Sequence, residues 1–200
     1  MIEDKLLSAG ITQIAGVDEA GRGACAGPLV VAAVVLKNPK SGALTQVKDS
    51  KELTAKKRDQ LFDLILQEST AHSIIEITPT EIDSYGLHKS NLAGMRRAIN
   101  ALNLELGYIL TDGYEIEGMP APSLAVWKGD QVAISISAAS ILAKVHRDRL
   151  MINLDERYPG YGLAAHKGYV TKSHRDALVR LGVSEVHRRS YANIAALINS

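Results

Sequence analysis

The sequence has little cysteine and no long apolar run. Cys25 is the only cysteine among 200 residues, which excludes an internal disulfide and a cysteine-rich zinc site. We expect its side chain to pack as a small apolar group. No apolar stretch approaches the roughly 18 residues that cross a bilayer. The polar start, from Met1 to Lys5, also lacks the basic-then-apolar order of a signal peptide. We therefore expect a cytoplasmic protein that does not bind a membrane.

Net charge is also scarce, since the formal total is only +1. The charges are unevenly distributed, however. From Lys144 to the C-terminus there are ten Lys and Arg residues against five Asp and Glu, whereas residues 1–143 hold 13 basic and 17 acidic residues. This asymmetry indicates a basic C-terminal part that could bind a polyanion beside a more acidic part. The alternative is that the basic residues only solvate helix faces.

The apolar pattern predicts alternating strands and helices. A nearly continuous β-branched run at 29–36 and shorter runs at 72–78 and 108–111 favour strands. Amphipathic spacing predicts helices over 54–69, 87–106 and 137–157. With 46% hydrophobic residues, the chain can form one compact domain, and the pattern favours an α/β sheet with helices on its faces. Thr78, Pro79 and Glu81 match a capping box, which predicts a short helix after the second strand.

The most informative segment is the run from Val17 to Gly23. Asp18 and Glu19 end a short apolar strand, and neighbouring strand residues point to opposite faces, so one of them would act from the turn or through its backbone carbonyl. The residues alone do not decide which. Oxygen ligands of this kind suit a hard divalent cation. In the turn that follows, Gly21 and Gly23 permit close backbone approach, and Arg22 adds a fixed positive charge. The alternative is a solvated acidic turn with a charge pair.

Two further carboxylates, Asp112 and Asp130, could also be either metal ligands or ordinary polar residues. Asp112 follows the predicted strand at 108–111, and Asp130 follows Gly129 just before a predicted helix. Either could be an ordinary turn or helix-entry residue. If the fold gathers these two with Asp18 and Glu19, the four charges would repel each other unless divalent cations balance them.

Seven separated motifs stand in the order found in ribonuclease HII, and the chain resembles that family over about residues 12–192. The motifs are Asp18-Glu19-Ala20-Gly21-Arg22-Gly23, Asp49-Ser50-Lys51, Leu110-Thr111-Asp112-Gly113, Lys128-Gly129-Asp130, the run 137–145 with Arg147-Asp148, His166-Lys167-Gly168-Tyr169 and His187-Arg188-Arg189-Ser190. The resemblance implies a ribonuclease H-like fold, which is a mixed central sheet flanked by helices. It also implies a catalytic core over 1–157 and a C-terminal helical elaboration over 158–200, packed together as one unit.

The resemblance further implies an endonuclease that cuts the RNA strand of RNA–DNA hybrids and cuts 5′ of single ribonucleotides in duplex DNA, as in ribonucleotide and primer removal. Two Mn²⁺ or Mg²⁺ ions would bind the catalytic carboxylates and leave 5′-phosphate and 3′-hydroxyl ends. The Gly21-Arg22-Gly23 turn would read the 2′-hydroxyl, and Tyr169 would pack on the neighbouring sugar. A monomer is expected. The implied phosphate contacts are Lys51, Ser140, Lys144, His166 and Lys167.

Three rival interpretations remain at this point. Ribonuclease HIII is the sister family, but its glycine turn usually lacks an arginine and it carries an additional N-terminal domain. An actin-like phosphotransferase shares acidic, glycine-rich turns, but it normally needs two duplicated domains. A non-catalytic module that binds hybrids would not need four intact carboxylates.

Overall fold

The protein forms a five-stranded mixed sheet in the computed structural model, which describes residues 1–47 and 53–198. The strand order is β3-β2-β1-β4-β5. β1 to β3 pair antiparallel, whereas β4 runs parallel to β1 and β5 runs parallel to β4. The predicted α/β fold with a mixed sheet is therefore confirmed. The strands are β1 (Ile14–Ala20), β2 (Leu29–Leu36), β3 (Ser69–Ile77), β4 (Tyr108–Asp112) and β5 (Ser123–Val126).

Helices cover both faces of this sheet. All eight residues of β2 are buried, and they alternate between two apolar clusters as the strand period requires. One cluster contains α2 and α6, and the other contains α4. The helices are α1 (Ile2–Ser8), α2 (Ala55–Glu68), α3 (Pro79–Tyr85), α4 (Leu87–Asn100), α5 (Gly129–Val132), α6 (Ile134–Arg157), α7 (Leu163–His166), α8 (Lys172–Leu181) and α9 (Ala192–Ile198), with a 3-10 turn at Gly42–Gln46.

The element boundaries differ from the sequence prediction in identifiable places. The helix predicted over 87–106 ends at Asn100, and shortly afterwards Asn103 adopts a left-handed backbone with φ 50°. The Thr78 hydroxyl caps α3 by accepting the Glu81 N–H at 3.1 Å. The Glu81 carboxylate pairs with Arg97 at 2.8 Å. The N-cap prediction is confirmed, and the carboxylate joins α3 to α4.

The C-terminal helices pack on α6 and on the segment between β1 and β2 through a third apolar cluster. This cluster contains Cys25 and Ala26 beside Met151 of α6 and residues of α7, α8 and α9. Cys25 is fully buried, as predicted for a small apolar residue. Among the described residues, no helix is both long and apolar enough to cross a membrane.

Candidate active site

Three acidic side chains meet where two parallel central strands end. Val17 of β1 lies opposite Thr111 of β4, so Asp18 and Asp112 follow at one edge of the sheet. Ligands of α/β sheets bind at this carboxyl edge. With Glu19, the two residues line a cavity of about 360 Å³, which is completed by Ala20, Gly21, Arg22, Gly23, Ser140, Lys144 and Tyr169. The structure therefore brings together most of the residues predicted for metal and substrate binding.

Asp18 and Glu19 leave the strand on opposite faces, as predicted, yet both reach this cavity because it lies at the strand end. Asp18 is buried on the α6 side, where Ser140 hydrogen-bonds to its carboxylate. Its Oδ1 also accepts the backbone N–H of Glu19 at 2.7 Å. Burial, followed by the charges of Glu19 and Asp112, raises the pKa of Asp18 well above its ordinary value. A cation bound beside Asp18 would oppose this rise, because a nearby positive charge favours the ionised carboxylate.

Asp130 lies in an adjoining cavity of about 420 Å³. Glu19 and Asp112 line this second cavity as well as the first, with Gly113, Tyr114, Trp127, Lys128 and Gln131. Asp112 Oδ1 accepts the Gly129 N–H at 2.7 Å, which ties the start of α5 to the end of β4. The four predicted carboxylates thus occupy two neighbouring cavities, and Glu19 and Asp112 lie between them.

The donor atoms of this site fit a hard divalent cation. The lining carboxylates offer only oxygen, which Mg²⁺ and Mn²⁺ prefer and zinc does not. A cation would also relieve the repulsion that raises the pKa of Asp18. Within residues 1–47 and 53–198, no three acidic, histidine or cysteine side chains form a metal-binding group as they stand. The carboxylates would therefore have to draw closer around an ion.

The two glycines of the turn have different structural roles. Gly21 has φ +90°, and a Cβ there would lie 1.8 Å from Arg147 Nε, so only glycine fits. At Gly23 a Cβ would meet only the Tyr169 ring, at an ordinary 3.8 Å. The Arg22 guanidinium lies over the Tyr114 ring, 5.1 Å from its centroid. The fold therefore requires the first glycine, whereas the second leaves room next to Tyr169.

Arg147 hydrogen-bonds to the segment that follows this turn. Its side chain is 1% exposed, and it donates from Nε to Pro28 O at 2.9 Å, from Nη1 to Lys167 O at 2.9 Å and from Nη2 to Ala26 O at 3.1 Å. Burial and the neighbouring Arg188 lower its pKa to about 10, so the guanidinium stays charged at neutral pH. Arg147 thereby joins the segment that follows the glycine turn to the loop that carries Tyr169.

A second buried arginine, Arg188, fixes the turn itself. It donates from Nε to Gly27 O at 3.0 Å and from Nη1 to Arg22 O at 3.1 Å. The Tyr191 hydroxyl donates to the same Arg22 carbonyl at 2.6 Å. Two of the ten basic residues in the C-terminal part are therefore buried supports of the site. The predicted basic surface is smaller than the sequence suggested.

Histidines support the Tyr169 loop from the other side. His174 Nδ1 lies 3.0 Å from Tyr169 O, and its Nε2 lies 3.1 Å from His187 Nε2. His187 Nδ1 accepts the Ser184 N–H at 3.1 Å, so a neutral His187 donates from Nε2 to a neutral His174. The His166 ring stacks on His174 at 4.2 Å. Burial, and then the neighbouring His174, lower the pKa of His187 to about 4, and burial also lowers the pKa of His174, so this pair of rings is neutral at pH 7.

The residues predicted to contact phosphate differ in how accessible they are. Lys144 lines the first cavity, and its Nζ pairs with Asp148 at 2.8 Å. Ser140 lines the same cavity but hydrogen-bonds to Asp18. Lys51 lies outside the described residues. Of this group, Lys144 presents the cationic side chain that is best placed at the acidic cavity.

Two other predicted phosphate contacts bond to their own loop. Lys167 Nζ donates to Ala164 O at 2.6 Å, and burial lowers its pKa. His166 Nδ1 accepts the Gly168 N–H at 3.2 Å, and its Nε2 donates to Tyr161 O at 2.9 Å. Both ring nitrogens of His166 are thus engaged by the backbone. Phosphate binding by either residue would require these bonds to be exchanged.

Sequence reasoning missed the supporting residues. Arg147, Arg188 and His187 belong to motifs that were recognised, but the motifs do not show that these side chains are buried. His174 lies outside those motifs. The available signal for Arg147 was its place in α6 among apolar residues at helical spacing. Burial of an arginine there requires several carbonyl acceptors.

Comparison with known proteins agrees with this geometry. The model of the family Ribonuclease HII matches residues 15–194. Ribonuclease HII of Rhodococcus erythropolis is 51% identical over 195 residues, which cover 98% of this chain and 86% of that protein. The ribonuclease H2 structure from Pyrococcus horikoshii OT3 has a TM-score of 0.81 at 28% identity and covers 93% of this chain and 97% of its own.

The Bst-RNase HIII structure in complex with Mn²⁺ has a TM-score of 0.76 at 19% identity, with 97% of this chain and 72% of that chain covered. This similarity extends to the fold alone. The family model and the relative from Rhodococcus erythropolis, by contrast, agree with the amino-acid sequence itself over nearly the whole chain. The chain therefore belongs to the ribonuclease HII family, whose members are endonucleases that hydrolyse the RNA strand of RNA–DNA hybrids.

Proposed function

We propose that this protein cuts RNA strands paired with DNA and also cuts 5′ of single ribonucleotides in duplex DNA, by two-metal-ion hydrolysis that leaves 5′-phosphate and 3′-hydroxyl ends. The proposal includes action as a monomer and roles in ribonucleotide and primer removal. The observation that carries it is the shared cavity at the carboxyl edge of β1 and β4. There, three carboxylates face the glycine turn, Lys144 and Tyr169.

The glycine turn is suited to distinguishing RNA from DNA. The 2′-hydroxyl is the chemical difference between the strands at the cut, and it both donates and accepts hydrogen bonds. Backbone groups of the turn can contact it closely, because Arg188 and Tyr191 bond to the Arg22 carbonyl and Arg147 bonds to Ala26 just after the turn. Tyr169, about 40% exposed, faces Gly23 and is available to pack on the adjacent sugar.

Asp18, Glu19, Asp112 and Asp130 would hold the divalent cations. When bound, two such ions lower the pKa of the attacking water and stabilise the leaving oxygen. Mn²⁺ is the ion in the Bst-RNase HIII complex, and the all-oxygen donor set suits Mn²⁺ and Mg²⁺ equally. Lys144 would contact the phosphate that enters the cavity, because its ammonium group borders the carboxylates without lying among them.

A panel of labelled duplexes tests the substrate assignment. We expect cleavage of an RNA–DNA hybrid and of a DNA duplex with one ribonucleotide, and none of an all-DNA duplex. Tyr169→Ala should slow cleavage at the lone ribonucleotide by about a hundredfold while changing duplex affinity much less, because misplacement of the phosphate affects the rate more than the binding. Tyr169→Phe should keep much of the activity, since the ring provides the packing.

The control for this experiment is an exposed aromatic residue away from both cavities. Tyr85 ends α3 and is 67% exposed, so Tyr85→Ala should cut like the parent. Cleavage of the all-DNA duplex at a comparable rate would refute the substrate assignment. If Tyr169→Ala cut the lone ribonucleotide as fast as the parent, Tyr169 would be a loop anchor only.

A further inference from the structure

The loop between β5 and α5 presents an indole to solvent beside the acidic site. Trp127 is the only tryptophan in the sequence, and at 82% exposure it is the most exposed of the large hydrophobic side chains in the described ranges. Exposing so large an apolar surface is unfavourable in water. Single exposed apolar residues are common, so the exposure of Trp127 indicates a function only if its position supports one.

Hydrogen bonds on both sides of Trp127 attach this loop to Asp112 and to the next residue, Gly113. Val126 is the register partner of Asp112, and its carbonyl accepts the Gly113 N–H at 3.0 Å. Two residues after Trp127, the Gly129 N–H donates to Asp112 Oδ1 at 2.7 Å. The backbone that carries the indole therefore has a fixed position relative to the acidic site.

Lys128 adds a positive charge to the same loop. Lys128 is exposed, and its backbone is left-handed, with φ 52°. Residues other than glycine seldom adopt this conformation. The N–H of Gln131 donates to the Lys128 carbonyl at 3.0 Å. An aromatic surface next to a cation is the combination that binds nucleic-acid strands without regard to sequence, by packing on sugars or bases and by pairing with phosphate.

This loop and Tyr169 belong to two different cavities that share two carboxylates. Tyr169 lines the first cavity, and Trp127 lines the second, while Glu19 and Asp112 line both. A strand whose scissile phosphate lies at these two carboxylates would thus meet Tyr169 on one side of the cut and Trp127 on the other.

We propose that Trp127 and Lys128 form a second contact for the duplex, on the side of the scissile phosphate opposite Tyr169. This inference rests on the proposed function, because it takes the acidic cavity as the place of cutting. Trp127 would pack on sugars and base edges, and Lys128 would pair with a phosphate. A protein partner at this loop is the alternative that the experiment must distinguish.

Tryptophan emission gives a direct test, because all of it comes from residue 127. The probe is a DNA duplex with one ribonucleotide, added to the intact Asp18→Asn protein so that cutting is slow. We expect saturation with the duplex to protect the indole from acrylamide and to reduce the quenching constant at least about twofold, as burial against nucleic acid requires. Unchanged quenching at saturation would overturn the proposal and leave the loop as a surface for some other partner.

Binding measurements with labelled duplexes separate the two side chains. Trp127→Ala should weaken binding by about fivefold to tenfold, and Trp127→Phe should lose less. Lys128→Ala should reduce the slope of log affinity against log salt by about one. The matched control is Tyr85→Ala, which removes an exposed aromatic side chain elsewhere and should bind like the parent. Equal affinity of Trp127→Ala and Tyr85→Ala would contradict the proposal.

Shortened duplexes show on which side of the cut the contact lies. Removing base pairs on one side of the ribonucleotide should abolish the difference in affinity between the parent and Trp127→Ala. Removing them on the other side should abolish the effect of Tyr169→Ala on the cleavage rate. Loss of both effects by the same truncation would refute the opposite-side arrangement. Metal-dependent cleavage by the parent is scored separately. Its absence would refute the proposed function, whereas normal cleavage with unprotected Trp127 would refute only this inference.

Discussion

Replacing Arg147 by lysine tests whether a buried guanidinium supports the substrate site. Arg147 donates three hydrogen bonds to the carbonyls of Pro28, Lys167 and Ala26. A lysine keeps the charge but replaces the rigid fork with a single ammonium on a flexible stem. We expect that ammonium to reach one of these carbonyls and leave the other two without a partner.

The magnitude follows from the bonds that are lost. A hydrogen bond from a charged group contributes about 1.5–3 kcal/mol, and a buried acceptor left alone has a similar cost. Losing two such bonds should lower the free energy of unfolding by about 3–5 kcal/mol. For a chain of this size, that corresponds to a fall in Tm of roughly 10 °C. Cleavage should also slow, because Arg147 joins the segment after the glycine turn to the Tyr169 loop.

Urea unfolding followed by circular dichroism measures this effect, with Arg149→Lys as the matched control. Arg149 lies two residues further along α6, and its side chain is half exposed and pairs with Asp59 at 3.0 Å. That substitution should change the free energy of unfolding by no more than about 0.5 kcal/mol. If Arg147→Lys unfolded within 1 kcal/mol of the parent, on the order of one ordinary hydrogen bond, the bonds would not support the site as argued.

Other substitutions test the remaining parts of the account. Asp18→Asn should raise Tm in metal-free buffer at pH 7, because it removes a buried charge whose pKa its surroundings raise; a lower Tm in calorimetry would contradict this. The pKa of His187 is about 4 in the folded protein and near 6.5 when unfolded. The unfolded chain therefore binds the proton first as pH falls, and the free energy of unfolding should drop by about 3 kcal/mol between pH 7 and pH 4. Urea titrations of His187→Asn should show a flatter pH dependence than those of His146→Asn, and equal slopes would refute the assignment. Gly21→Ala should lower Tm by several degrees in thermal melts, whereas Gly23→Ala should not; equal Tm values would show that Arg147 does not limit the space at Gly21.

Much of the fold was predictable because its central elements have strong local signals. The apolar run of β2 and the amphipathic spacing of α2 lie where the sequence indicated. β5 was not predicted, since it is a four-residue edge strand with Leu124 and Ala125 exposed, and so it has no buried apolar pattern. The helix predicted to reach Leu106 stops at Asn100, where backbone conformation outweighs apolar spacing.

The acidic residues were predictable in identity but not in arrangement. Motif order singled out Asp18, Glu19, Asp112 and Asp130, and the parallel pairing of β1 with β4 explains why three of them share a cavity. The placement of Asp130 in an adjoining cavity depends on the short helix α5 and could not be read from spacing. Buried supports such as Arg147 bond to carbonyls distant in sequence, so local patterns do not show which groups they bind.

The central claim is tested most directly by single-turnover cleavage of a DNA duplex containing one ribonucleotide. The parent, Asp112→Asn and the surface control Asp59→Asn are compared with and without Mg²⁺ or Mn²⁺, and the product ends are mapped. We expect the parent and the control to cut once, 5′ of the ribonucleotide, only when the cation is present. Asp112→Asn should be at least about a hundredfold slower. Cutting that proceeds without a divalent cation, or an Asp112→Asn variant as fast as the parent, would contradict the account.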